Sequence, residues 1–437
     1  MNATYSKLMQ ELHTLEMDML NRFRDLTQLI PALLCLLSST SNAEATKTAL
    51  PDFTLHGLAD FRFQYRDAQP GELENGLGKF RSGGDGSRVG VNEAALTLQS
   101  RLGWDWSGTL TAKYANRQVT PLDLSEAFLT YRPVSTSAWH VGARLGMFFP
   151  PISLENTGTA WSSPYTLTSS AINAWVGEEL RTFGGEAQLS YHTATGDRVK
   201  LFATGFANND TAGALLAWRG WSLHDYESTL NDKLRLPNNV GIQTAFPQQA
   251  SLSQPFVEVD GRPGYYAGIS VERPKAYAFR ALYYDNRGKP SALQNGQYAW
   301  HTDFWSLGFK ADLPWDLTLI SQGISGRTRM GDEMHGQFAV DTRFWAASVL
   351  LSKAWDTHRF SIRYDRFGTT ENDFLPQDRN QEHGYALTAN YNLTLAKQHQ
   401  INLEVTHSHS DRPARLSLGQ HSTQEETVWQ IAYRLFF

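Results

Sequence analysis

The sequence has almost no cysteine and, in the body of the chain, no long apolar run. Its single cysteine, Cys35, lies in an N-terminal apolar stretch, so the rest of the chain has no disulfide, thiolate metal site or cysteine nucleophile. No segment approaches the roughly 18 consecutive apolar residues of a membrane-spanning helix. The formal net charge is only −5 over 437 residues, which gives no basis for nucleic-acid binding.

The N-terminus has the pattern of a secretory signal peptide. Arg22 and Arg24 precede an apolar run at 29–37, and small residues follow up to Ala43. Basic, apolar and small-residue regions in this order are typical of exported proteins. We therefore predict a cleaved signal peptide over residues 1–43.

The boundaries that follow from this signal define three segments. Acidic residues near the beginning are unusual in a signal peptide, so we expect the true start at Met17 or Met19. Cleavage falls after Ala43 or Ala45, and 44–51 forms a short periplasmic lead. The remaining 52–437 forms one domain.

Alternation of apolar and polar residues dominates this domain. In "DFTLHGLADFRFQY", Phe61 and Phe63 share one face of a strand while Arg62 and Gln64 share the other. About sixteen such segments recur, most near the ~9–11 residues with which a tilted strand crosses a bilayer. The alternation predicts strands with one apolar and one wet face.

The links between these segments alternate in length. Short turns such as "ATGD" and "LPWD" alternate with long links, among them 148–179, 209–262 and 326–338; "QVTP" is a short exception on the long side. Soluble sandwiches have no reason to keep all short turns on one side. The fold class predicted is an all-β transmembrane antiparallel barrel of about 16 strands, with short periplasmic turns and long extracellular loops.

The last strand, "VWQIAYRLFF", keeps one bulky apolar face to its final residue, Phe437. In hydrocarbon every backbone N–H and C=O needs a partner, so a spanning sheet must close on itself. The apolar face would then meet lipid. Barrel proteins of the Gram-negative outer membrane typically end on an aromatic residue, and we interpret Phe437 as the assembly signal.

Charged residues on the polar face of the strands are expected to line the lumen. They either line a water-filled pore or form a basic ladder that selects anions. Acidic residues on the same face include Asp60, Glu93, Glu126, Glu186, Glu272 and Glu404. The basic residues predicted to face the lumen are Arg62, Lys113, Arg117, Lys200, Arg280, Lys310, Arg363 and Arg434, besides Arg144.

The link 148–179 is long, weakly charged and rich in serine, threonine, alanine and tryptophan. A loop in free solvent would be expected to carry more charge, so this one is predicted to fold into the barrel and narrow it. Ordinary packing against the wall is the alternative. The predicted pore constriction consists of Arg144, Glu155, Glu178, Glu179 and Arg181. The longer link 209–262 is expected to hold a short amphipathic helix that caps the mouth.

One stretch resembles a known family. "EAFLTYRP", "HVGARLGMFFPPISLE" and "EELRTFGGEAQL", within 122–190, are similar to the phosphate-selective porin O and P family. In that family a strand, a Gly-aromatic-Pro turn and a long infolded loop follow in this order. The resemblance implies a porin, and the rest of the chain matches only as a barrel pattern.

The function predicted is passive diffusion of small hydrophilic or anionic solutes through an outer-membrane porin, without cofactor or metal. The expected partners are outer-membrane lipid, the barrel-assembly machinery, small solutes and, as in porins of this size, a homotrimer. A substrate-specific channel is one alternative. An outer-membrane lipase or protease is another, with histidines near the rim as its candidate groups: His301, His383, His407 and His409.

Overall fold

The structure is a computed structural model that describes residues 52–238, 240–375 and 379–437. The predicted signal peptide and periplasmic lead, 1–51, lie outside the described residues. Within the described ranges, no helix has the length and apolar character needed to cross a membrane.

Sixteen antiparallel strands form a closed barrel, which confirms the predicted fold class. The seam pairs the first strand with the last, from Leu58 opposite Phe436 to Asp67 opposite Thr427. The barrel strands are β1 (Asp52–Asp67), β2 (Gly86–Leu102), β3 (Trp106–Ala115), β4 (Leu122–Tyr131), β5 (Trp139–Phe148), β6 (Thr182–His192), β7 (Arg198–Ala207), β8 (Gly264–Arg273), β9 (Tyr277–Asp285), β10 (His301–Leu313), β11 (Leu317–Met334), β12 (Gln337–Trp355), β13 (His358–Glu371), β14 (Glu382–Ala396), β15 (His399–Asp411) and β16 (Thr423–Phe436).

The alternation in the sequence places the side chains on the two faces of the wall. On β1, Phe61 and Phe63 are 37% and 39% exposed on the outside, while Arg62 between them is 4% exposed inside. Because successive strand residues point to opposite faces, an apolar outer surface and a polar inner surface follow directly. Trp104 and Trp315 are 93% and 79% exposed at the short-turn end of the barrel, where interfacial tryptophans are expected.

The strands differ in length around the barrel, and two of them run through a segment that was predicted to be a long link. Strands β3 to β9 have 9 to 11 residues, whereas β11 and β12 have 18 and 19. The predicted long link 326–338 is wrong: β11 and β12 continue to a tight turn at His335 and Gly336. Both turn residues have positive φ, 53° and 85°, as two-residue hairpins require.

Two long connections fold into the barrel from the end opposite the short turns. We call 149–181 the first inner loop and 208–263 the second inner loop. The first contains helix α1 (Ala171–Glu179); the second contains α2 (Ala214–Trp218) and α3 (Val240–Ala245). The link 209–262 was predicted to hold a short amphipathic helix that caps the mouth, but α2 is buried along its whole length.

Aromatic packing fills one side of the barrel interior. Trp175 of α1 lies 5.4 Å from Phe304 on β10 and 5.3 Å from Phe344 on β12, measured between ring centroids. Trp221 of the second inner loop meets Trp175 edge-on at 6.1 Å. These rings belong to one buried apolar cluster. The inner loops are therefore packed against β9 to β13 like a protein core, and polar space remains beside β1 to β3.

Candidate functional site

Helix α1 begins at a serine cap and is held by a buried carboxylate. The Ser170 hydroxyl accepts from the backbone N–H of Asn173 at 3.3 Å, which satisfies one of the free donors of the first turn. The Glu155 carboxylate accepts from the Ser170 N–H at 2.7 Å and from Asn173 Nδ2 at 2.8 Å. Glu155 thus fixes the start of the helix.

The other end of α1 is joined to the second inner loop by a buried ion pair. Arg219 Nη1 donates to Glu178 Oε1 at 2.8 Å, and Nη2 contacts Oε2. His224 Nε2 lies 3.0 Å from Glu178 Oε1. Burial alone would raise the pKa of Glu178, but the charge of Arg219 and the contact with His224 hold it well below its ordinary value.

Glu179 and Arg181 are also buried. Glu179 accepts from Trp175 Nε1 at 2.6 Å and from the backbone N–H groups of Gly213 and Leu215 at 3.1 and 3.0 Å. Burial raises the pKa of Glu179 to about 7. Arg181 stacks on the Phe149 ring at 3.4 Å, and burial lowers its pKa to about 10.

These contacts change the role of the predicted constriction. Glu155, Glu178, Glu179 and Arg181 anchor the first inner loop instead of facing a passing solute, because each is at most 1% exposed. Arg144 alone is half-buried, and its Nη2 lies 2.8 Å from Glu186. Every residue of α1, within the predicted link 148–179, is buried.

A polar cavity of about 80 Å³ lies between strands β1 to β3 and residues 223–227 of the second inner loop. Thr168 of the first inner loop also lines it. Five basic and three acidic side chains face it: Arg62, Arg66, Arg81, Arg88, Lys113, Glu93, Asp225 and Glu227. Sequence reasoning missed Asp225 and Glu227, since their loop was expected to remain at the mouth.

Two wall cations bridge to the second inner loop across this cavity. Lys113 Nζ lies 2.8 Å from Glu93 on the neighbouring strand and 2.7 Å from Glu227 on the loop. The Arg62 guanidinium binds Asp60 at 2.7 Å and also contacts Asp225. One lysine thus serves two carboxylates, and burial raises the pKa of Glu227 to about 7.

The predicted lumen cations fall into three groups. Arg62, Lys113, Arg363 and Arg434 lie inside the barrel in buried ion pairs. Arg117 does not lie on a strand: it occupies the β3–β4 connection with a positive φ of 68°, and it pairs with Glu74 at 3.2 Å. The half-buried group on the short-strand side consists of Arg144, Lys200, Arg280 and Lys310.

Three of the four candidate catalytic histidines share the outer face of the adjacent strands β14 and β15, and the fourth, His301, lies on β10. His407 and His409 pair with Thr427 and Glu425 of the adjacent strand, at 2.9 and 3.4 Å. His383 is exposed on the barrel wall. His301 lies 3.2 Å from Asp285. No hydrogen bond or ring contact joins any two of these four histidines among the described residues.

Among the described residues, two carboxylate triplets have the spacing that a metal ion would need. The first triplet consists of Asp60, Glu93 and Asp225, and its carboxylates already pair with lysine and arginine side chains of the barrel wall. The other triplet, Asp210, Glu258 and Asp260, closes the base of the second inner loop. Its oxygens accept backbone N–H groups, including that of Val259 on Asp210 at 2.6 Å. We assign no metal ion to either triplet.

No protein-family model and no curated protein matches the sequence. Among solved structures, the chain is similar to a loop L8 deletion mutant of OmpT, an outer membrane protein of Vibrio cholerae. The TM-score is 0.50 at 8% identity, over 89% of this chain and 99% of that one. An anion-selective porin from Comamonas acidovorans gives a TM-score of 0.49 at 11% identity, over 89% of this chain and 100% of that one. The likeness to OmpT shows the fold alone: this chain has the fold of an outer-membrane β-barrel.

Proposed function

We propose that the protein is an outer-membrane porin that forms a narrow passive channel for small hydrophilic solutes, with a preference for anions. The polar cavity beside β1 to β3 carries this proposal. Its lining is charged on both the wall and the inner loops, and its basic side chains outnumber the acidic ones. Rings of charged side chains set pore selectivity. Homotrimer formation and signal-peptide export remain predictions.

The filled side of the barrel favours a narrow channel over a wide general pore. A barrel of about 16 strands leaves an aqueous channel when its interior is open. Here Trp175, Trp218 and Trp221 are each at most 2% exposed inside the wall. Solutes would therefore pass along the wall of β1 to β3. Farther around the wall, Arg144 on β5 and Lys200 on β7 add half-buried cations.

Conductance of the purified protein in a planar lipid bilayer tests this proposal. We expect small, roughly ohmic single-channel currents and a reversal potential that favours chloride over potassium in a salt gradient. A folded barrel that inserts but carries no current would contradict the proposal. A large, unselective current would contradict the narrow path beside the inner loops.

A hydrolase is the second candidate, because Ser222, His224 and Glu178 are in contact. Ser222 Oγ lies 3.1 Å from His224 Nε2, and Glu178 Oε1 lies 3.0 Å from the same nitrogen. Nδ1 accepts the backbone N–H of Tyr226 at 3.2 Å, so a neutral ring carries its proton on Nε2. That nitrogen cannot then accept the serine proton, as a general base must. Turnover of lipid or peptide substrates that is lost in Ser222→Ala would reverse this ranking.

A further inference from the structure

Two arginines in the polar cavity lack the carboxylate partners that their neighbours have. Arg62 and Lys113 are held by acidic residues, as described above. Arg66 and Arg88 have no carboxylate oxygen within 4.0 Å among the described residues. Both lie on the inner face of the wall, on β1 and β2, and both line the cavity. Their charge is therefore directed toward the cavity without a fixed counter-ion.

Hydrogen bonds hold the Arg66 side chain in place, but not all of its donors have an acceptor. Its Nη1 donates to Ser82 Oγ at 2.9 Å and to the Gly83 carbonyl at 2.8 Å. Its Nε is buried and has no acceptor. The Arg88 side chain is half-buried and makes no hydrogen bond to another described residue. A guanidinium offers five donors in a planar fork that fits carboxylate and phosphate oxygens, so donors remain available here.

The surrounding carboxylates do not neutralise the positive charges of Arg66 and Arg88. Arg81 lies 3.4 Å from Glu72 and stacks on the Tyr226 ring at 3.8 Å, at the loop side of the cavity. The nearby Glu74 carboxylate accepts from the backbone N–H of Gly83 at 2.9 Å and pairs with Arg117. Its charge is thus shared, and the cavity keeps an excess of positive charge.

We propose that Arg66 and Arg88 form a binding site for a singly charged oxyanion, such as the carboxylate group of a small solute, within the solute path. This inference rests on the proposed channel function and assigns its substrate class. The nearby carboxylates of Asp225 and Glu227 would repel a divalent anion more strongly than a monovalent one. A cavity of about 80 Å³ holds several water molecules or one small anionic group.

Block of chloride current by added potassium acetate, at constant ionic strength, measures the site directly. In the wild type we expect acetate to reduce the current with saturation. Removal of both guanidinium groups in Arg66→Gln/Arg88→Gln should raise the half-blocking acetate concentration about tenfold or more, since hydrogen bonds to charged groups are among the stronger ones. Arg343→Gln is the matched control for the single variant Arg88→Gln, because Arg343 is exposed on the outside of the wall and each variant loses one positive charge.

The variants separate this inference from the channel proposal. Arg88→Lys keeps the positive charge but loses the planar guanidinium group. Its half-blocking acetate concentration should lie between those of the wild type and the double variant. This single variant also tests the site if the double variant does not fold. Unchanged acetate block in the double variant or in Arg88→Gln, or an equal change in Arg343→Gln, would overturn the site. Tighter block by inorganic phosphate at pH 7.5 than by acetate would overturn the singly charged class. A wild type without current would contradict the channel proposal itself, and this inference with it.

Discussion

Arg219 binds Glu178 across the contact between the two inner loops, with Nη1 and Oε1 2.8 Å apart and both side chains buried. The two residues belong to different connections of the barrel, one after β5 and the other after β7. Their ion pair makes the loops a single packed unit, which then occupies the side of the interior next to β9 to β13. The polar cavity beside β1 to β3 exists because this unit does not fill the whole barrel.

Loss of the Glu178 charge should loosen this unit. Glu178→Gln leaves Arg219 buried without its counter-ion, and removal of one partner from a buried ion pair typically costs about 3–5 kcal/mol. We expect faster hydrogen exchange of the amides in α2 and noisier open-channel current, while the barrel stays folded. Glu425→Gln is the control, because Glu425 is exposed and its carboxylate lies 3.4 Å from His409 on the wall, away from the inner loops. Unchanged exchange in α2 would show that the ion pair does not hold the loops together.

The cavity should change its selectivity with pH. Burial raises the pKa of Glu227 to about 7, so the folded state takes up its proton more readily than the unfolded chain, whose glutamate pKa is about 4.3. The packing of 223–227 is then most stable below about pH 4.3 and weakens as pH rises through about 7. In the same window the cavity gains negative charge.

Reversal potentials at pH 5 and pH 8.5 check this expectation. The wild type should favour anions more strongly at pH 5. The Glu227→Gln channel should favour anions at both pH values. Its amide oxygen can still accept a hydrogen bond from Lys113, and the substitution breaks no bond at Glu227 Oε2, which has no partner. Glu333→Gln, at the exposed hairpin tip, should keep the wild-type pH response. A full pH response in Glu227→Gln would assign the titration to another group.

The barrel seam depends on Phe437. Gly57 donates its N–H to the Phe437 carbonyl at 2.8 Å and accepts the Phe437 N–H at 3.2 Å. The Phe437 ring covers Gly57 so closely that a Cβ there would lie 2.0 Å from a ring carbon. Phe437→Asp should reduce the yield of heat-modifiable barrel in the membrane, since it removes the ring that covers Gly57 and places a charge on the lipid face, which costs up to about 1 kcal/mol near the interface. Phe437→Tyr should insert normally, and normal yield of the aspartate variant would contradict the predicted assembly role.

Removal of the second inner loop should widen the channel. The ends of this loop are adjacent, because Asp210 accepts the backbone N–H of Val259 at 2.6 Å, so 212–257 can be replaced by a short Gly-Ser linker. Single-channel conductance should then rise several-fold, as α2 and Trp221 leave the interior. Shortening of the exposed hairpin at 332–337 should leave conductance unchanged. Equal conductance of the loop variant and the wild type would mean that this loop does not limit the path.

The strands were predictable because lipid and water impose a strict alternation on the wall. Arg62 between Phe61 and Phe63 shows the pattern that identifies β1. The same rule failed near the tip of β11 and β12, where both faces of the sheet carry polar groups: Arg327 and Arg343 lie outside, and Thr328 and Thr342 lie inside. Because the outer face is polar there, apolar and polar residues no longer alternate, and the sequence of the strand resembles that of a loop.

The site was only partly predictable. The low charge of 148–179 indicated its burial, and the apolar letters "AGALLAW" in 209–262 carry the same signal for the second inner loop. Ion-pair partners were beyond sequence reasoning, because they depend on how the loops pack. Lys113 and Glu227 are 114 residues apart, and only the closed barrel brings them together. For the same reason, carboxylates expected to face solutes are buried anchors.

The route of the current is the central claim, and a single introduced cysteine tests it most directly. The only native cysteine, Cys35, lies in the predicted signal peptide, so an added thiol in the barrel would be the only one in residues 52–437. Asn92 lines the polar cavity, whereas Ser348 lies inside the wall on the filled side. With a charged methanethiosulfonate reagent, Asn92→Cys should lose current in discrete steps and Ser348→Cys should not change. Loss of current at position 348 with none at position 92 would place the path on the other side of the barrel and contradict the account.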